Sequence, residues 1–351
     1  MQFVIDAREA FHAQKTGKGQ WTKGFIEELT KRGLSVEVIL DEDSSLALAP
    51  ANAKIFMKGI RWHFHVASYL KSLSSDTVYI SPTSFIVPAL VGKKVRTITV
   101  IHDLIAFHNE PHSFKARIIE RMLLKKVLKS SSSICTVSES TKYDLLQKFP
   151  QSDASKITTI FAGPFEEHPQ PNIPDQQTIL CAATLCPRKN QLRLIEAYAA
   201  LPESLRKTYK LVLVGARGWQ DERIIKSAAS TEGVEWKSYV PDAEYLSLLS
   251  TCTVFALPSL YEGFGMQILD ALQRGIPVLT SSRGSLQEVA GSAALTVDPK
   301  SPAAICDGLQ KLLTNAGLRQ ELARKGPVQA AQFSWKKTVD LFLQASERLV
   351  Y

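Results

Sequence analysis

No apolar run in this 351-residue chain is longer than about half the ~20 residues that a membrane span needs. The start, "MQFVIDAREAF", has no basic segment leading into a long apolar one, so no secretory signal is expected. Cysteine is sparse and odd in number: Cys135, Cys181, Cys186, Cys252 and Cys306. There is no CxxC and no zinc-ligand spacing, and most of the five lie in apolar contexts such as "SICTV" and "ILCAA". Buried, reduced thiols in a reducing compartment are expected, and the chain is read as soluble and cytoplasmic. No G-x-G-x-x-G follows a strand; "VGARG" at 214–218 has the wrong spacing, which disfavours a nicotinamide enzyme. There is no short internal repeat and no low-complexity tract. With 45 % hydrophobic and 22 % charged residues, disorder, collagen and coiled coil are excluded as the main architecture.

What is abundant is positive charge, and it is unevenly placed. Net charge is +8 and pI about 9.1, compatible with nucleic acid, an anionic membrane or a phosphorylated substrate. Residues 1–160 hold 22 Lys/Arg against 15 Asp/Glu, and residues 161–351 hold 20 against 19. The excess therefore belongs to the first half, which suggests that this half meets something anionic and the other does not. Residues 114–129, "FKARIIERMLLKKVLK", concentrate it in Lys115, Arg117, Arg121, Lys125, Lys126 and Lys129. Interleaved Ile118, Ile119, Met122, Leu123, Val127 and Leu128 give this helix an apolar stripe, suited to anionic lipid or simply to the core.

Short β-branched runs alternate with amphipathic segments. "QFVIDA" (2–7), "LSVEVIL" (34–40), "TVYIS" (77–81), "RTITVIHD" (96–103), "SICTVS" (133–138) and "KITTIFAG" (156–163) read as strands. Helices are expected at 20–32, 61–72, 114–130 and 139–149. The proline-rich stretch "PFEEHPQPNIPDQ" (164–176) reads as a linker. The alternation then resumes, with strands at 178–184, 210–215, 234–240, 252–259, 277–282 and 294–299. The fold class is α/β: two parallel-sheet domains, 1–165 and 166–335. The default site is a cleft between them, beyond the carboxyl ends of the strands.

Two constellations carry chemistry. In "PSLYEGFGMQILDALQRG" (258–275), Glu262 follows a strand, and Gly263, Phe264 and Gly265 lead into a helix whose first turn is Met266–Leu269. Free backbone N–H groups at such a start suit an anion or sugar hydroxyls. Asp270, about a turn into that helix, is read as pointing with Glu262 to one pocket rim, where two carboxylates grip hydroxyl pairs. In "TLCPRKN" (184–190), Thr184 ends a strand and the adjacent Arg188 and Lys189 form a potential phosphate clamp. Taken alone, the first is also a Gly-rich turn with a surface acid, and the second an ordinary solvated basic pair. Asp41 and Asp43 in "VILDEDSS" offer a DxD pattern but read as a solvated loop. His63 and His65 have no third ligand at metal spacing, and His108 and His112 lie around "NEP".

Together these segments resemble the donor domain of glycosyltransferase family 4, and "IDAREAF…GKG", "TVIHDLIAF" and "CTVSES" resemble its first domain, so the resemblance spans essentially the whole chain. It implies the GT-B fold, with a helix from 336 to 351 returning to the first domain, and a retaining, metal-independent hexosyltransferase with no cofactor beyond its nucleotide-sugar donor. By position, Lys189 binds the donor diphosphate. Arg188 stands in for an Arg that many relatives carry where this chain has Thr184. Glu262 contacts the transferred sugar, and the Gly263–Phe264–Gly265 amides with Met266 hold sugar and phosphate. Asp270 replaces the usual ribose-binding Glu and is one methylene shorter. Tyr239 and Val240 frame the base. Gly17 and Gly19 form a loop approaching the phosphates, where a missing Cβ permits close contact. His102 hydrogen-bonds the transferred sugar, Asp103 follows it, and His108 and His112 face the acceptor. The variants resemble branches rich in mannosyltransferases, so GDP-mannose is the first donor. UDP-glucose or another UDP-sugar stays open, as does a non-catalytic binder of sugar nucleotides or nucleic acid. The implied acceptor is a glycan or lipid-linked sugar, the location the cytoplasm or the inner face of its membrane; no nucleic-acid partner is expected.

Overall fold

The computed structural model describes residues 2–45, 49–50, 52–111, 113–167, 169 and 177–349. His112, the side chain of Lys115 and most of the expected linker at 164–176 lie outside the described residues. The described chain forms two compact units, residues 1–165 with 333–351, and residues 166–332.

The first unit is a seven-stranded parallel sheet: β1 (Gln2–Asp6), β2 (Val36–Asp41), β3 (Lys54–Phe56), β4 (Thr77–Ser81), β5 (Arg96–Ile101), β6 (Ser133–Thr136) and β7 (Ile157–Thr159). Its spatial order is β3-β2-β1-β4-β5-β6-β7. Parallel strands covered by helices on both faces need continuous apolar runs, which is why β4 and β6 are buried at every residue. Trp62, Val66, Leu70 and Val87 pack with Val4, Ile39 and Tyr79. Leu124, Val127 and Leu145 pack with Ile101, Ile134 and Ile157.

The second unit is a six-stranded parallel sheet: β8 (Thr178–Ala182), β9 (Lys210–Val214), β10 (Val234–Trp236), β11 (Val254–Leu257), β12 (Val278–Ser281) and β13 (Ala294–Val297). Its order is β10-β9-β8-β11-β12-β13. In both units the strand order reverses once, between β1 and β4 and between β8 and β11. Ligands of open α/β sheets bind beyond the carboxyl ends of strands at such a switch point.

The last helix, Trp335–Glu347, begins one residue before the expected 336, and the return to the first unit begins at Phe333. Trp335 fixes it there. Its indole N–H donates to the Pro164 carbonyl at 2.8 Å, and its ring sits where a Cβ on Gly24 or Gly163 would collide with it. Phe342 packs on Phe3 and Phe25, and Arg32 pairs with Asp340.

One expected element differs. The first helix runs Gly17–Lys31, not from residue 20, so Gly17 and Gly19 lie in its first turn and not in a loop. The Thr16 hydroxyl accepts from the Gly19 amide at 3.2 Å, and that N-cap offsets the poor helix propensity of glycine. Gly19 lacks a Cβ because the Glu9 carbonyl occupies its place, whereas Gly17 faces open space. All five cysteines are free and buried.

Candidate active site

The RK pair and the first glutamate of the EGFG run meet at the switch point of the second sheet. β8 ends at Ala182, and after a short turn a 3-10 helix, Pro187–Lys189, presents both cations. Asn190 takes a left-handed φ of 66°. Its amide donates to the Pro258 and Pro299 carbonyls, stitching the β8 loop to the loops beyond β11 and β13. Arg188 adds a backbone tie, its carbonyl accepting from the Leu260 amide. The sequence is thus built to hold residues 188 and 262 together across 74 positions.

Glu262 is 5 % exposed and both oxygens of its carboxylate accept hydrogen bonds. Oε1 accepts from Lys189 Nζ at 2.6 Å and from the Ser259 hydroxyl at 2.7 Å. Oε2 accepts from Arg188 Nη1 at 2.8 Å, and the same nitrogen donates to the Tyr261 carbonyl at 2.9 Å. The Glu262 carbonyl accepts from the amide and hydroxyl of Ser285. Gly284, at φ +60°, leaves it room, because a Cβ there would strike that carbonyl. Burial opposes ionisation of Glu262, but the Lys189 and Arg188 charges outweigh it and hold the carboxyl at about 2. Two cations thus meet one carboxylate in a buried centre beyond the end of β8.

The neighbouring elements fall around the same end of the sheet. Gly265, at φ +97°, caps the helix Met266–Gln273, and a Cβ there would press on Leu286. Gly263, Phe264 and Met266 are buried beside it. Thr184 is exposed at the end of the β8 run, with its carbonyl accepting from Gln191. Tyr239 and the buried Val240 follow β10 at the sheet edge. Asp270 is 3 % exposed and accepts from the Tyr245 hydroxyl at 3.2 Å. Burial and the Asp270 charge together push the Tyr245 hydroxyl well above its ordinary range, so it stays a donor. Ser259 and Tyr245 were not foreseen. Ser259, three residues before Glu262 in "PSLYEG", carried the local signal.

In the first unit, His102 follows β5. Its Nε2 lies 2.7 Å from the Pro82 carbonyl and its ring meets Trp21 edge-on. Burial, with Lys18 adding, lowers its pKa to about 3. The ring is therefore neutral, and a carbonyl only accepts, so the proton sits on Nε2 and Nδ1 is left as an acceptor. Asp103 caps the turn that follows, at Ile105. His108 points to Asp144 at 3.1 Å. His63 is buried against Trp62, and burial with the Arg8 charge lowers it to about 4. Asp41 caps a turn at Ser44, and Asp43 pairs with Lys58. Among the described residues no three His, Cys, Asp or Glu side chains group as a metal site.

Residues 17–163 match the model of Glycosyltransferase Family 4, and residues 165–329 that of Glycosyl transferases group 1. O-antigen chain mannosyltransferase B of Escherichia coli is 30 % identical over 290 residues, covering 78 % of this chain and 75 % of that protein. The chain belongs to glycosyltransferase family 4. The serotype-specific mannosyltransferase WbdA of E. coli is 28 % identical over 276 residues, 73 % of this chain but only 34 % of its own length. Sucrose-phosphate synthase from Thermosynechococcus elongatus superposes with TM-score 0.81 at 16 % identity, covering 100 % of this chain and 99 % of that one. This family 4 glycosyltransferase therefore has the GT-B fold. Among its described residues no helix is long and apolar enough to cross a membrane.

Proposed function

We propose that the protein moves a hexose, mannose in the first instance, from GDP-mannose to a glycan or lipid-linked acceptor with retention of configuration. The observation that carries this reading is the buried Glu262–Lys189–Arg188 cluster at the switch point, two cations gathered on one carboxylate. In this reading the donor binds the second unit. Lys189, Arg188 and the N-terminus of the helix Met266–Gln273 offset charge growing on the departing diphosphate, the work a metal does in other transferases. Glu262 receives hydroxyls of the transferred sugar, with the amides of Gly263, Phe264 and Gly265 beside it. Tyr239 and Val240 frame the base, and Asp270 reaches the ribose through or past Tyr245. Thr184 flanks the diphosphate. In the first unit, the helix start at Gly17 and Gly19 approaches the phosphates, and Nδ1 of His102 accepts a hydroxyl of the sugar. The C1–O bond to phosphate breaks, the acceptor oxygen bonds C1 on the same face, and the departing phosphate takes the acceptor's proton. No protein base is then needed.

The mannosyl assignment rests on the name of the E. coli relative. The acceptor binds the first unit, which carries the excess of positive charge. The helix Phe114–Ser130 bears exposed Phe114 (76 %) and Met122 (72 %) beside Lys125, Lys126 and Lys129. That face suits peripheral contact with an anionic membrane at its cytoplasmic side. The test is GDP-mannose turnover with a mannose-terminated acceptor, in EDTA, read by anomeric proton NMR of the product. An α-linked product formed in the chelator is expected. Transfer only from UDP-sugars, a β-linked product or dependence on added metal would overturn the respective part.

A further inference from the structure

A cavity of about 170 Å³ opens in the first unit, beyond the carboxyl ends of β4 and β5. Its polar lining is Lys18, Thr83, Ser84, His102, Asp103 and Glu120, and its apolar lining includes Phe85 and Ile119. The volume suits one six-membered sugar ring. The chemistry is that of a carbohydrate site: carboxyl and hydroxyl groups for hydroxyls, and apolar surface for a C–H face.

The charge of the lining is the informative feature. Glu120 is the one acid on a helix whose other charged residues, Lys115 to Lys129, are all basic. It faces this cavity, while its neighbours turn away: Arg117 donates to the Glu110 carbonyl and Arg121 to the Ala106 carbonyl. Burial, with Asp103 adding and Lys18 opposing, pushes the Glu120 carboxyl up to about 7. With His102 neutral, two carboxyls face a single ammonium, and no guanidinium lines the cavity. A phosphate or carboxylate entering it would meet like charge, although the protein as a whole is basic.

We propose that this cavity binds the uncharged terminal sugar ring of the acceptor, with Glu120 and Asp103 accepting its hydroxyls and thereby excluding anionic sugars. The inference rests on the transferase reading and narrows its acceptor: any phosphate of the acceptor lies outside this cavity. The basic surface of the first unit serves that outer part or the membrane.

The test is saturation-transfer NMR of the full chain at pH 8 with methyl α-mannoside, methyl α-glucoside, methyl N-acetyl-α-glucosaminide and mannose 6-phosphate as probes. At least one neutral glycoside binds and the phosphate does not. Glu120→Ala weakens that glycoside tenfold or more, isosteric Glu120→Gln weakens it less, and Glu120→Lys admits mannose 6-phosphate. Binding of mannose 6-phosphate as tight as that of the glycosides, no glycoside binding, or unaltered binding in folded Glu120→Ala and Glu120→Gln would overturn the proposal. GDP-mannose binding to the same proteins is read separately by thermal shift. Its failure would overturn the donor reading while the glycoside result still decides the cavity.

Discussion

Replacing Glu262 with glutamine removes one negative charge and almost no volume, so the change isolates electrostatics. The carboxyl is held near 2 against an ordinary 4.5, because Lys189 and Arg188 outweigh its burial. At ~1.36 kcal/mol per unit, the ionised form contributes about 3 kcal/mol to the folded state. That matches the 3–5 kcal/mol typical of removing one partner from a buried pair. The folded pKa is depressed, so the contribution is complete above about 4.5 and is lost as pH falls toward about 2. Glu262→Gln should therefore lower the midpoint of the second unit by about 6–12 °C at pH 7, at ~2–4 °C per kcal/mol. Near pH 2.5 the difference from wild type should shrink to about a quarter of its value at pH 7. Differential scanning calorimetry at both pH values reads this directly. The functional consequence differs in sign between ligands. Arg188 and Lys189 lose a competitor for phosphate, so GDP should bind as well or better. The transferred sugar loses a charged hydrogen-bond partner worth ~1.5–3 kcal/mol, so kcat/KM should fall roughly 10–150-fold. A variant with wild-type midpoint at pH 7 and undiminished kcat/KM would refute the reasoning at its root.

Other outcomes follow from the same geometry. His102 is held at about 3 by burial, a base with its folded pKa depressed, so the folded state loses stability as pH falls from about 6.5 toward 3. His102→Phe should flatten that acid limb in urea titrations. Glu120 has the opposite displacement, up to about 7, so its cost to folding appears between about 4.5 and 7 and persists above. Glu120→Gln should stabilise the protein at pH 8 by about 3 kcal/mol and not at pH 4. Trp335→Ala opens a cavity beside Gly24 and Gly163 and frees the Pro164 carbonyl. It should cost ~3–5 kcal/mol in denaturant midpoint measurements. Triple charge reversal at Lys125, Lys126 and Lys129 should abolish sedimentation with anionic vesicles, since each lysine is worth about 1 kcal/mol at such a surface. Unchanged sedimentation would remove the helix Phe114–Ser130 from the membrane account.

The fold was legible where period and composition agree. β-Branched runs such as "TVYIS" and "KLVLV" are buried on both faces and read as parallel strands without ambiguity. Helices Ile86–Val91 and Glu203–Thr208 escaped because six residues are too short for an apolar period. The apolar face of the first helix is legible only from Trp21 onward, whereas its start at Gly17 is set by the Thr16 hydroxyl. The centre of the site was legible for a different reason: Glu262, Arg188 and Lys189 sit in dense local motifs. Their mutual contact was not, since it spans 73 and 74 positions and depends on how Asn190 joins the two loops. Asp270 shows the limit of spacing. Eight residues past Glu262, it is also bonded to Tyr245, a partner 25 residues away on another helix that spacing alone does not reveal. Glu120 was visible only as one acid in a basic helix. Its importance comes from β4 and β5 ending opposite it.

The central claim is that the Glu262–Arg188–Lys189 cluster is a nucleotide-sugar centre. Its most direct test is a thermal-shift titration of wild type and Lys189→Met with GDP-, UDP- and ADP-sugars and with the corresponding diphosphates. The account predicts stabilisation of wild type by about 2.7 kcal/mol at a hundred times the dissociation constant, with GDP-mannose the strongest ligand. The shift should be largely lost in a folded Lys189→Met. Absence of a shift with every nucleotide, or an undiminished one in Lys189→Met, would contradict it.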